Sequence, residues 1–243
     1  MFIHPFLRVY IRVTSRLKNQ YLQGEAMEQL WKLHVIIVLK LMMIFQVSVR
    51  SEAVDPTQGF TRVGLDESNF QVQRPYDVPV NQRYSFVNGV HRLWVYSTDK
   101  PHTPDSDTLP RTEIRITGHD YTSGVWQFEG YGYVPSGTTG VCIMQVFGGS
   151  PSATTLQLRV YDASLTYYRS PVLFPNMYDT WFRLNVIHDV ASSNVKVYID
   201  GVLKYDGPGR GQATHYFKFG VYTQNDPSHY MESRWKDIKL FTK

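Results

Sequence analysis

The chain is poor in cysteine: Cys142 is the single thiol in 243 residues. No disulfide can form within it, so the fold must rest on packing alone. Cys142 lies in the apolar run "VCIMQVF", which suits a buried, inert thiol. A reactive one needs an accessible, electropositive setting. Basic excess is missing from most of the chain as well. Residues 1–53 hold 7 Lys/Arg against 3 Asp/Glu, and residues 54–243 hold 18 against 18, so the net charge of +4 belongs to the N-terminal segment. A balanced body carries no electrostatic footprint for nucleic acid. Metal-ligand spacings are lacking too, with no His-x-His pair and no HExxH, and no metal or cofactor is expected. "GPGRG" at 207–211 follows a strand with no helix after it, which makes it a loop and not a phosphate cradle, and no G-x-S-x-G occurs. No N-x-Ser/Thr acceptor follows residue 53.

Long apolar runs are absent with one exception, "LHVIIVLKLMMIFQVSV" at 33–49. Ser51-Glu52-Ala53 after it is a small-x-small ending that suits a signal peptidase. Residues 27–53 therefore read as a secretory signal, residues 1–26 as an upstream extension, and 54–243 as the mature domain. A single membrane anchor is the competing reading. Lys40 in mid-run and a length short of the ~20 apolar residues a span needs count against it. The expected destination is the extracellular space and cell wall, or the vacuole.

What the sequence does have is strands. "HRLWVYS", "RTEIRIT", "GVWQFEGYGYV", "VCIMQVFG", "TLQLRVYD", "WFRLNVIHD", "NVKVYIDG", "HYFKFGVYTQ" and "RWKDIKLF" alternate apolar and polar residues between Gly, Pro, Asn and Asp. Asp200-Gly201 in "YIDGVLKY" signals a tight hairpin. Residues 98–110, "TDKPHTPDSDTLP", form a polar loop. No stretch after residue 54 holds a helical period. The expected fold is all-β: an antiparallel two-sheet jelly-roll sandwich, concanavalin A-like, in which a curved sheet offers a concave groove.

Three strands put unusual side chains on one face. Arg111, Glu113 and Arg115 alternate with Thr112, Ile114 and Ile116. Gln145 and Phe147 share a face of "IMQVFGG". In "HYFKFGVYTQ", Tyr216, Lys218, Gly220, Tyr222 and Gln224 oppose the apolar Phe217, Phe219 and Val221. Gly220 reads as room left above the sheet for a ligand. Two arginines steadied by a glutamate make a sensible carboxylate receptor. The plainer reading of the first strand is a solvated Arg/Glu ladder, common and weakly stabilising. Three histidines invite a role: His91 reads as an interior or edge residue, His188 as a turn residue, and His215 lies on the opposite parity from the polar face.

"RTEIR", "QVF" and "YFKFGVYTQ" resemble the three signature strands of the alginate-lyase family, polysaccharide lyase family 7. Over 54–243, segments such as "VHRLWVYSTDKPHTP" and "SPVLFPNMYDTWFRLNVIHDV" resemble the plant citrate-binding protein family, which shares that jelly roll. The lyase resemblance implies that Arg111, Glu113, Arg115 and Gln145 hold and neutralise a uronate carboxylate. It implies that Lys218 and Tyr222 complete the site, with Tyr222 as general acid. It also implies a histidine base where Phe147 stands. Phenylalanine cannot remove a proton, so β-elimination loses its usual base while the carboxylate-binding face is kept. The leading expectation is a non-enzymatic, monomeric protein that binds a small polycarboxylate such as citrate, or an acidic oligosaccharide, through Arg111, Glu113, Arg115, Gln145, Lys218, Tyr216, Tyr222 and Gln224. The alternatives are a uronate-polymer lyase using Tyr222 as acid and base, and a wall-associated carbohydrate-binding module.

Overall fold

The structure is a computed structural model that describes residues 28–38 and 53–243. Residues 28–38 are helical, with Lys32 and Glu28 paired at 2.9 Å one turn apart. No helix among the described residues is long and apolar enough to cross a membrane. Most of the apolar run at 33–49 and the whole 1–26 extension lie outside the described residues.

The body is built from strands β1 (Thr61–Val63), β2 (Phe70–Gln73), β3 (Tyr84–Val87), β4 (Val90–Tyr96) and β5 (Arg111–Ile116). There follow β6 (Val125–Tyr133), β7 (Val141–Phe147), β8 (Thr154–Tyr161), β9 (Ser164–Tyr167) and β10 (Val172–Phe174). The last are β11 (Phe182–Asp189), β12 (Asn194–Ile199), β13 (Val202–Pro208), β14 (Tyr216–Thr223) and β15 (Tyr230–Thr242). They form two sheets, one ordered β13-β12-β11-β6-β15-β4-β3 with β1 on β15, the other β10-β9-β8-β7-β14-β5-β2. Every pairing between these strands is antiparallel. This is the two-sheet jelly-roll arrangement that the alternating sequence demands.

Alternation explains the core. In β12, Val195, Val197 and Ile199 are buried while Asn194, Lys196 and Tyr198 are only partly covered. The inner faces meet through Phe128, Phe182, Phe217, Phe219 and Trp235, whose rings approach at tilted and edge-on angles. Asp200-Gly201 closes β12 onto β13 with both residues at positive φ, +51° and +79°, as a two-residue hairpin requires.

Two expectations change here. Gly220 does not leave room for a ligand. Its φ is +137°, and a Cβ there would meet the Thr112 carbonyl oxygen at 2.4 Å and Glu113 Cα at 2.8 Å, so the glycine allows β14 to press against β5. The strand also bulges there against β7, pairing Phe219 with Met144 but Tyr222 with Cys142. Ser233 secures the bulge by donating to the Gly220 carbonyl at 2.7 Å while accepting from Trp235 Nε1 at 3.0 Å. His188, read as a turn residue, is instead a buried member of β11 held by Tyr121 Oη at 3.0 Å. Strand pairing continues through it because it faces the aromatic interior beside His215.

Candidate functional site: a polar cavity on the seven-stranded sheet

The register places three strands side by side. Lys218 on β14 stands opposite Arg115 on β5 and Gln145 on β7. Tyr222 stands opposite Arg111, Gly220 opposite Glu113, and Tyr216 opposite Phe147. The shared parity read from the sequence therefore becomes one shared face. That face is not a solvated ladder: Glu113 is 0% exposed, Gln145 1%, Lys218 2% and Arg111 7%. Burying four such groups is costly unless each is paired, and the pairing organises the site.

Glu113 is the hub. One carboxylate oxygen accepts from Gln145 Nε2 at 2.5 Å, and the other from Lys218 Nζ at 2.7 Å, with Arg111 Nη1 at 3.5 Å. Both of its oxygens are engaged by its own neighbours, so Glu113 braces the ligand-facing groups and does not itself line the cavity. Burial drags the Lys218 ammonium below the ordinary lysine value; Glu113 opposes that fall and Arg111 adds to it. Arg111 lies with Cζ 3.9 Å from the Tyr222 ring centroid, a stacked cation that keeps its plane fixed.

A cavity of about 390 Å³ opens over this floor, within the range of small-molecule sites, about 300–1,000 Å³. Arg111, Gln145, Phe147, Tyr216, Lys218 and Tyr222 line it, as expected from their strands. Burial pushes the Tyr222 and Tyr216 phenols above their ordinary value of 10, with nearby arginines opposing. Both are therefore hydroxyl donors at neutral pH, suited to a carboxylate and poorly suited to act as a base. Phe147 stacks on Tyr216 at 4.7 Å and 16° and forms an apolar wall.

Arg115, Glu113 and Gln224 fall outside the cavity lining. Arg115 is turned to Asp120, with Nη2 2.5 Å from Oδ2, and packs over Tyr216 at 3.9 Å. A local acid claims it, which alternation along β5 does not reveal. Gln224 folds back onto the chain, donating to the carbonyls of Tyr222 and Thr223 at 3.2 and 2.9 Å. Its strand ends at Thr223, so parity no longer dictates its direction.

Other cavity residues were not among those expected: Gln73, His102, Thr108, Ala153, Thr154 and Gln157. Gln157 alternates with Arg159 on β8, and Arg159 holds its Oε1 at 2.8 and 2.6 Å. The Gln157 amide N–H groups are left for a ligand, and the pattern "TLQLRVYD" carried that signal. His102 comes from the loop between β4 and β5, where no periodicity indicates direction. His91 and His215 are interior. His91 packs on Phe70, Phe86 and Phe219, and His215 is 0% exposed. Cys142 is fully buried and its thiol is pushed up to about 12, mainly by desolvation. No cluster of three or more His, Cys, Asp or Glu residues able to hold a metal occurs among the described residues.

The chain's donors thus outnumber its acceptors around a closed acidic hub, an arrangement chemically matched to carboxylate. Comparison with known proteins agrees with the fold. A citrate-binding protein of Hevea brasiliensis is 56% identical over 190 residues, covering 78% of this chain and 80% of the relative. An alginate lyase of polysaccharide lyase family 7, AlgAT5, superposes with a TM-score of 0.58 at 16% identity, over 72% of this chain and 95% of its own. The family 7 alginate lyase A1-II′, in complex with product, superposes at 0.57 and 13% identity, over 72% and 96%. The sequence model of the alginate lyase family matches residues 65–242, and the chain belongs to that family.

Proposed function

We propose that the protein binds a small polycarboxylate, citrate foremost, in the cavity over β5, β7 and β14, and does not cleave polysaccharide. The observation that carries this reading is the pairing of an intact donor floor with Phe147 on its wall. Arg111, Lys218, Tyr222 and Gln157 offer charge-assisted and neutral donors to carboxylates. Proton abstraction beside a carboxylate needs a positioned base. Phe147 supplies none, and the protonated state favoured for Tyr222 argues against its serving as one. The relative named for citrate supports the choice of ligand. The reading extends to a monomeric protein that enters the secretory pathway and resides in the wall or vacuole, which a fluorescent fusion of the whole chain would test.

Calorimetry of citrate, malate and oligouronates with the wild type and Arg111→Ala tests the function. Citrate heat that disappears or weakens sharply in the variant supports it, and equal affinity in both proteins overturns it. The alternative of a uronate-polymer lyase has one observation in its favour, Tyr222 lying in the cavity against Arg111. It predicts a rise in the unsaturated-uronate absorbance with alginate, glucuronan or pectin, abolished in Tyr222→Phe. No rise with any of them removes it.

A further inference from the structure

His102 is the one histidine on the cavity wall, and neither the strand pattern nor the carboxylate floor accounts for it. Its position is fixed. The preceding residue, Pro101, accepts the Tyr76 backbone N–H at 3.0 Å, and Asp99 is clamped by Arg83 at 2.7 and 2.6 Å. The His102 Nδ1 atom is buried with no partner in the protein, while the residue itself lies on the cavity wall. Arg111 from β5 and Lys218, Tyr216 and Tyr222 from β14 line the cavity with it, and Glu113 lies behind them, near enough to act on it through its charge. Strands β2, β7 and β8 contribute only uncharged side chains to the lining, Gln73, Gln145, Phe147, Thr154 and Gln157.

The charge count in this cavity is unbalanced for its proposed cargo. Arg111 and Lys218 supply two positive charges and Glu113 one negative, so the empty site is positive by one. A di- or tricarboxylate brings two or three negative charges and reverses the sign. We infer that His102 is the proton acceptor that restores the balance, so that the cavity takes up a proton with its polycarboxylate. This deepens the carboxylate-binding reading and rests on it. In the empty site, burial and the cations Arg111 and Lys218 hold the imidazole below its ordinary value of 6.5, with Glu113 opposing. Bound carboxylates replace that repulsion with attraction and raise it. Linkage then requires affinity to grow as pH falls through the neutral range. The growth reverses where the ligand's own carboxylates protonate, steps that like charges on one polycarboxylate spread upward from the value of about 4 for an ordinary acid. The site would capture its ligand in acid and release it near neutrality.

The test is an NMR titration of the His102 imidazole, assigned with His102→Gln, in free protein and at saturating citrate. The expected midpoint lies below 6.5 when free and rises by a pH unit or more when citrate is bound, equivalent to about a tenfold affinity gain on the acid side. Calorimetry adds a second readout. The ratio of wild-type to His102→Gln affinity should rise several-fold from pH 8 to pH 5.5 and approach tenfold only well below the free midpoint, a comparison that cancels citrate's own titration. Citrate binding with an unmoved imidazole midpoint, or a pH-independent ratio, overturns this inference and leaves the binding function standing. No citrate heat at any pH overturns the binding function and this inference together.

Discussion

Glu113→Gln is the sharpest perturbation of the site, because it keeps the shape of the hub and removes only its charge. Glu113 is wholly buried and is the counter-ion within hydrogen-bonding reach of the equally buried Lys218. Removing one partner of such a pair leaves an uncompensated charge and costs about 3–5 kcal/mol. In a domain of this size each kcal/mol moves the melting point by about 2–4 °C, so the expected fall is about 6–20 °C. The pH dependence has a definite sign. Burial already lowers the Lys218 value and Glu113 is what holds it up, so the variant's folded state sheds the lysine proton more readily than the unfolded chain. The unfolded chain then binds more protons between the folded value and about 10.4, and the variant's stability rises with pH across that window. The deficit against wild type should be widest at neutral pH and narrow toward pH 10. Calorimetry of wild type, Glu113→Gln and Glu113→Gln/Lys218→Met checks this, because removing the stranded lysine charge as well should recover most of the loss. A single variant as stable as wild type would refute the hub, as would a double variant no better than the single.

Other perturbations separate residues that sequence parity treats alike. Arg111→Ala should weaken citrate binding about 10- to 150-fold, the worth of a charged hydrogen bond of about 1.5–3 kcal/mol. Arg115→Ala, which breaks a partly exposed pair with Asp120, should change it by less than about fivefold; calorimetry showing the reverse order would contradict the geometry. Gly220→Ala should destabilise the fold by about 3 kcal/mol or more, since the new Cβ collides with backbone at a positive φ; an unchanged denaturation midpoint would refute the close approach. Burial holds His91 and His188 at about 4, against 6.5 for a free imidazole. Each contributes about 3 kcal/mol that is complete above pH 6.5 and lost as pH falls toward 4. Melting points measured across that range should drop, and His91→Phe should flatten the slope.

Strands with strict alternation are legible because parity fixes which side chains share a face, as in β5, β12 and β14, and in β12 burial follows it as well. Short edge strands such as Val172–Phe174 and Thr61–Val63 escape, since three residues show no period. Parity placed Arg111, Gln145, Lys218 and Tyr222 on one face, but it is blind to neighbours outside the strand. It could not see that Asp120 claims Arg115, or that Glu113 faces its own cations and not the cavity. Gly220 is ambiguous in sequence for a related reason: a gap in a side-chain row looks the same whether a ligand or another backbone fills it. His102 was illegible altogether, because a loop has no period and its direction is set by tertiary anchors at Asp99 and Pro101.

The most direct test of the account is the crystal structure of the protein in saturating citrate. Ligand density over Lys218, with one carboxylate on Arg111 and others within reach of Tyr222 and Gln157, is the predicted result. Citrate bound elsewhere on the molecule, with the cavity beside Phe147 holding only water, would contradict it.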